Sequence, residues 1–470
     1  MGGGLSAGAA VLVWGWAAAT VTTALWLHAS PASPVATPVI AALAFSGWWF
    51  GAVWRQERAF PVANVGVLAM AAAMAYAVLP PLGLVLAGLQ LSETTDSRLL
   101  GLRLGGRELA AVAWMFTAYA IAMGGAFLLG LRGWQAQGGR PGLLGPRTEA
   151  TALAMLGAIT AFFAALYLTT GYTPLARYEG IGEMAVEWLE TPLLLRQVSN
   201  HLHGMVLVVK LVVMGMLLQR HAEPRWRLVL VAWLVLEALL PFVLASSRAP
   251  TVLFLMGTVL LFHMIVRPLP AAGVLVAGLA LLVGFLVQGA MRVTWGGSGL
   301  GILSSANEFQ SIFATAADVF ARGSDLPPMP WSARVSEVLL VPQQLLPIPK
   351  MDKSDWYLDL IGAAGTGVGL AFGVVAESLV GYGWTELLLR GVVVGYVLSR
   401  IHRFADAKTA SLLWAVLYVW LCIQSYQLVR VSTLALVPML MYQVLPVLGL
   451  LAAVQRWDAP VRRVEVVPAC

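Results

Sequence analysis

Runs of apolar residues long enough to cross a bilayer recur along almost the whole chain, and they limit what it can fold into. A membrane-crossing helix needs about 20 apolar residues. On that ruler spans are expected at 5–28, 35–54, 61–89, 109–131, 150–171, 203–219, 228–247, 250–266, 271–290, 385–400, 409–427 and 434–455. The expected fold is all-α: a polytopic integral membrane protein with about twelve transmembrane helices. A content of 59% hydrophobic and 11% charged residues, with a mean hydropathy of +0.81, excludes an ordinary soluble domain.

The N-terminal run follows no basic region and is longer than the apolar core of a signal peptide, so it is read as the first span. Cys422 and Cys470 are the only cysteines, too few for a disulfide framework or a cysteine-based metal site. The net charge of +6 is spread in short clusters between apolar spans. That pattern fits the positive-inside rule and no nucleic-acid partner. Placing Arg55 and Arg58 in the cytoplasm also puts there Arg132, Arg140, Arg147, Arg220, Arg225, Arg227, Arg267, Arg400, Arg403, Lys408, Arg456, Arg462 and Arg463. The short outer loops hold fewer: Arg98, Arg103, Arg107, Arg177, Arg196, Arg248 and Arg430. Both termini are then cytoplasmic.

Five regions follow: transmembrane helices 1 to 9 in 1–290, a large periplasmic loop in 291–365, a Gly-rich segment in 366–384, helices 10 to 12 in 385–455, and a cytoplasmic tail in 456–470. The Gly-rich run, with Gly362, Gly365, Gly367, Gly369, Gly373, Gly381 and Gly383, makes a poor lipid-facing helix. A full crossing would also carry Arg400 and the cluster after it to the outside. A re-entrant element is expected, because irregular backbone at membrane depth survives only inside protein or beside water. Between Glu179 and His203, Trp188, Leu189 and Leu193 to Leu195 alternate with charges, which suggests an amphipathic helix at the interface.

Ionisable groups near membrane spans are costly, and are functional candidates for that reason. Lys210 and Glu237 lie mid-span on neighbouring antiparallel helices at similar depth, and a structural ion pair is the favoured reading. Arg248, Arg292 and Arg430 each stand at the outer end of a span. An arginine fork matches phosphate oxygens; the plain alternative is snorkelling to the headgroups. Glu377, in a partly buried glycine-rich turn, is expected either to act as a general base or to bridge Arg390 or Arg430. Asp355 and Asp359 are expected to face solvent, and His201 and His203 to sit at the outer interface. The chain has no Gly-x-x-x-x-Gly-Lys-[Ser/Thr] loop, no His-Glu-x-x-His and no carboxylate cluster for a divalent metal.

Ala245-Ser246-Ser247-Arg248-Ala249-Pro250, the stretch containing Arg334 and Pro347, and Val375-Ala376-Glu377-Ser378-Leu379-Val380-Gly381-Tyr382-Gly383-Trp384 before the last helices resemble the O-antigen polymerase (Wzy) family. The resemblance covers roughly residues 240 to 450 together with the overall topology. It implies a bacterial inner-membrane glycosyltransferase working at the periplasmic face without metal or other cofactor. Such an enzyme moves a growing glycan from one undecaprenyl diphosphate onto a new lipid-linked repeat unit, for O-antigen, capsule or exopolysaccharide synthesis. On this resemblance Arg248, Arg292 and Arg430 hold the diphosphate, with Arg248 also catalytic. Glu377 takes the acceptor's proton or orients the arginines, and Arg322, Arg334 and Tyr382 meet the glycan. The implied partners are the lipid-linked oligosaccharide, membrane lipid and a chain-length regulator protein. An O-antigen ligase-like enzyme is expected to carry a histidine in the large outer loop, and 291–365 has none. A lipid-linked oligosaccharide flippase would instead line a central cavity with charge.

Overall fold

The protein is described here from a computed structural model, which describes residues 20, 33–57, 63–87, 106–134, 141–170, 193–243, 248–270, 273–274, 276–278, 280, 307–336, 338, 340, 351–362, 371–408 and 411–458. The expected spans at 5–28 and, for the most part, 271–290 lie outside those residues. So do the stretch 179–192, Arg292, and Gly365 to Gly369.

The described chain is almost entirely helical. Its main helices are α1 (Ser33–Glu57), α2 (Val65–Ala87), α3 (Gly106–Gly130), α4 (Pro146–Thr170), α5 (Leu193–Gln219), α6 (Pro224–Val243) and α7 (Arg248–Ile265), then α8 (Asn307–Arg322), α10 (Lys353–Leu360) and α11 (Val374–Val380), with the single turn α9 (Trp331–Arg334) between α8 and α10. α12 (Trp384–Lys408), α13 (Leu412–Gln424), the turn α14 (Gln427–Arg430) and α15 (Leu436–Asp458) complete the chain. Among the described residues, six stretches are long and apolar enough to cross a membrane: Val35–Gln56, Arg107–Gly130, Pro146–Leu166, His201–Gln219, Leu412–Arg430 and Leu436–Asp458. This is an all-α membrane protein. Val65–Pro81 and Thr251–Ile265 are apolar but shorter. α12 has the length, at 25 residues, but carries Glu386, Arg390, Arg400 and Arg403.

Two compact units form. One comprises 1–136, 269–403 and 424–436, the other 137–268, 404–423 and 437–470. In the first, α1, α2 and α3 pack on one another, and α8 lies against α2 and α3. Asn64 starts α2: its Oδ1 accepts from the backbone N–H of Gly66 at 2.8 Å and of Val67 at 3.1 Å, a cap worth roughly 1 kcal/mol. Buried Trp49 donates its indole N–H to the Gly124 carbonyl at 2.8 Å, and Phe313 of α8 stacks on Phe116 of α3 at 6.0 Å.

Lipid offers helices little hydrophobic reason to associate, so close backbone approach through small residues matters more than it does in water. α12 meets α3 in this way. Gly391, Gly395 and Ser399 recur every fourth residue and form one stripe. A methyl group at Gly395 would lie 2.0 Å from the Met123 carbonyl oxygen, and one at Gly391 2.9 Å from that of Tyr119.

Where a loop was expected, 307–322 forms a helix whose residues Ile312 to Val319 are all buried. At 16 residues α8 is too short for the spanning ruler, yet Ile312, Phe313, Ala316 and Ala317 give it an inward apolar side.

In the second unit, α5 packs against α4, α6 and α7, and α15 against α4 and α5. Lys210 and Glu237 are paired at 2.5 Å, as their matching depths predicted, and Trp233 also donates to Glu237 at 3.1 Å. Buried Asp458 accepts from the N–H and hydroxyl of Thr148 at 3.0 and 2.9 Å, in the first turn of α4.

Gly395→Ala is expected to lower stability in detergent by about 1–3 kcal/mol, because the obstacle is backbone and the helices must part. Gly125→Ala on α3, where a methyl group meets nothing within 4 Å, is expected to be neutral or slightly stabilising. Denaturation midpoints of the two variants decide the matter.

Candidate functional site

The polar centre of the first unit is built around the seven-residue helix α11. Gly373 precedes it at φ 81°, a left-handed conformation that glycine adopts without penalty. A methyl group there would also stand 2.7 Å from Ile312 of α8. At the other end the Gly383 N–H reaches back to the Ser378 carbonyl at 2.7 Å, with φ 60°, and α12 begins at the next residue. Glycine thus lets the chain enter and leave α11 sharply. Seven residues are far short of a crossing.

Glu377 sits in the first turn of α11 and is only 8% exposed. One carboxylate oxygen is paired with the ammonium of Lys353, which is 3% exposed, and the other with the Arg390 guanidinium at 2.9 Å. Arg390 also donates to Glu386 through Nε at 2.8 Å and through a terminal nitrogen at 2.5 Å, and to the Thr433 hydroxyl at 2.9 Å. Glu386 in turn accepts from the Tyr382 backbone N–H at 2.8 Å. Two cations and two carboxylates leave this quartet electrically neutral. A lone buried carboxylate would cost several kcal/mol, and close pairing with two cations offsets that.

Lys353 is delivered by α10, whose start is capped by Asp352 accepting from the Lys353 N–H at 2.6 Å. Tyr357, one turn on, lies on the same side of the helix. Its hydroxyl donates to Asp318 at 2.6 Å, and Arg322 donates to both oxygens of Asp318 at 3.0 Å. Burial, and then the Asp318 charge, push the Tyr357 hydroxyl well above the ordinary tyrosine range, so it stays a donor. Helix α10 is therefore pinned twice, to α11 through Lys353 and to α8 through Tyr357.

Of the residues singled out from sequence, Glu377 is at the centre. The backbone of Arg430 lies beside Gly373: a methyl group on that glycine would be 3.6 Å from the Arg430 carbonyl oxygen. Arg322 pairs with Asp318, Arg334 is exposed at the end of a single helical turn, and Tyr382 is 84% exposed on the turn before α12. Arg248 opens α7 in the other unit, and its side chain, like Arg292, lies outside the described residues. Asp355 and Asp359 are exposed, as expected. His201 is exposed and stacks on Tyr442 at 4.9 Å.

Lys353 and Asp318 were not anticipated. Spacing held part of the signal: Asp318 and Arg322, Lys353 and Tyr357, and Glu386 and Arg390 are all four residues apart. Among the described residues no group of three His, Cys, Asp or Glu is placed to hold a metal ion. No family model, no curated protein and no solved structure matches the chain.

Lys353→Met strands half of a buried ion pair, and is expected to cost about 3 kcal/mol of stability. In combination with Glu377→Gln the loss is expected to fall short of the sum of the single losses by at least about 1 kcal/mol. A double-mutant cycle on thermal or denaturant unfolding in detergent measures that coupling.

Proposed function

We propose that this protein is a glycan polymerase of the bacterial inner membrane. It joins undecaprenyl-diphosphate-linked oligosaccharide units at the periplasmic face, in the manner of the O-antigen polymerases its sequence resembles. The observation that carries this reading is Glu377, buried between Lys353 and Arg390 on a glycine-bounded helix beside Arg430, in a chain otherwise made of membrane helices. About twelve spans, with 291–365 on the periplasmic side and 366–384 re-entrant, complete the proposed topology.

Polymerisation needs an acceptor hydroxyl to attack the anomeric carbon of the donor. The new C–O bond forms as the bond to the donor diphosphate breaks, and the electron pair departs on the diphosphate oxygen. The hydroxyl proton goes to Glu377. That protonation removes the negative charge facing Lys353 and Arg390 at the moment the leaving group gains one. The two cations are then available to the departing diphosphate, which is stabilisation directed at charge developing in the transition state. Arg430, beside the start of α11, adds a third cation. Glu386 and Thr433 keep Arg390 aligned throughout.

A flippase for the same lipid-linked oligosaccharide is the second reading, which charge lining a central cavity would favour.

Purified protein, incubated with undecaprenyl-diphosphate repeat units, is expected to yield a size ladder of glycans. Folded Glu377→Gln protein is expected to lose at least about 100-fold of the elongation rate, the lower range for a general base. Elongation by Glu377→Gln at the unaltered rate would remove Glu377 from the chemistry. Movement of the lipid between leaflets of a liposome, without any ladder, would replace the polymerase by the flippase.

A further inference from the structure

One end of the second unit carries positive charge that no described side chain neutralises. Three stretches of membrane-crossing length finish there: Pro146 opens α4, Gln219 closes α5 and Asp458 closes α15. Arg220, just past α5, pairs with Glu149 at 2.5 Å, and Asp458 accepts from Thr148, so the three ends stand at one level. α6 turns back from that level at Pro224. α7 returns to it: Lys210 of α5 lies over the Phe254 ring of α7 at 5.7 Å, and from there the two helices run similar lengths to Gln219 and Ile265.

Three of the arginines at this level have carboxylate partners: Arg220 has Glu149, Arg225 has Glu223 at 2.8 Å, and Arg147 has Asp458 at 4.0 Å. Arg227, Arg267 and Arg456 are exposed and have none among the described residues. Those three charges are left in excess. Tryptophan marks the same level. The Trp226 ring centre lies 5.4 Å from the Arg220 guanidinium carbon and 5.5 Å from that of Arg225, and Trp457, next to Arg456, is 69% exposed. Tryptophan favours the headgroup zone of a bilayer, where one end of the ring system is apolar and the other wet.

We infer that this end of the second unit is a binding surface for anionic phospholipid headgroups, with Arg227, Arg267 and Arg456 supplying the charge that selects them. An exposed guanidinium matches phosphate oxygens in a bidentate way. The phosphate belongs to the surrounding leaflet, because these arginines stand where helices long enough to cross a membrane end. A zwitterionic headgroup carries a phosphate too, but its own ammonium group cancels the charge. The surface recognises bilayer lipid and takes no part in the chemistry proposed at Glu377.

The test titrates phosphatidylglycerol and phosphatidylcholine onto the detergent-purified protein in separate arms, with bound lipid counted by native mass spectrometry. The wild type is expected to bind phosphatidylglycerol at least about 5-fold more tightly, the effect of one arginine near an anionic surface. That preference is expected to shrink as salt is raised. With Arg227→Gln, Arg267→Gln and Arg456→Gln combined, the preference is expected to disappear. Phosphatidylcholine binding and the melting temperature in phosphatidylcholine are expected to stay at wild-type values, since none of the three has an ion pair to lose. Lysine at the same three positions keeps the charge and is expected to keep the preference.

Equal affinity of the wild type for the two lipids overturns the inference, as does a preference that survives the glutamine substitutions or is lost with lysine. A lower melting temperature for the glutamine variant would make the arginines structural and overturn it as well. Displacement of phosphatidylglycerol by an equal concentration of inorganic phosphate would do the same, by showing a site for a free anion.

Discussion

A carboxylate with almost no water around it sets the terms for the first unit. Glu377 is tolerable inside a membrane protein only because Lys353 and Arg390 neutralise it from two sides. Each cation needs its own support. Asp352 caps the helix that brings Lys353, and Glu386 with Thr433 fixes the plane of Arg390. The result is a chain of dependence running from α10 through α11 to α12 and on to the turn holding Thr433. It is locked further by Tyr357 on Asp318, which ties α10 to α8. Such a network is rigid when complete and expensive when any member is missing.

Glycine makes the arrangement geometrically possible. Gly373 and Gly383 hold left-handed conformations that let seven residues of helix stand between two sharp changes of direction. Gly381 makes room instead of bending the chain. A methyl group there would fall 1.8 Å from the Glu386 carboxylate, so the side chain is absent where the carboxylate must pass. Gly391 and Gly395 bring α12 closely against α3. The second unit solves the same problem with fewer parts, pairing Lys210 with Glu237 and using Asp458 to finish the first turn of α4.

How far these features are legible in the sequence depends on how local their signals are. Apolar length alone locates the six described helices long enough to cross a bilayer, because a bilayer demands length rather than any detailed pattern. Lys210 and Glu237 are readable as a pair because adjacent antiparallel helices put equal depths together. Glu377 stands out as a charge among glycines, and Arg390 is foreseeable as one of its bridging partners. Lys353 is hidden by its surroundings: among Pro347, Pro349 and several aspartates it looks like solvent-facing loop, and only the fold carries it to Glu377. α8 escapes the spanning ruler because its 16 residues fall short of it and its polar side resembles loop.

The central claim is that the Lys353–Glu377–Arg390 cluster receives a lipid diphosphate. An experimental structure of the protein with undecaprenyl diphosphate bound tests it most directly. The account predicts phosphate oxygens within about 4 Å of the Lys353 and Arg390 nitrogens, with Glu377 drawn off at least one of them. A diphosphate bound elsewhere, with the Lys353–Glu377–Arg390 pairs intact as they stand without ligand, would contradict it.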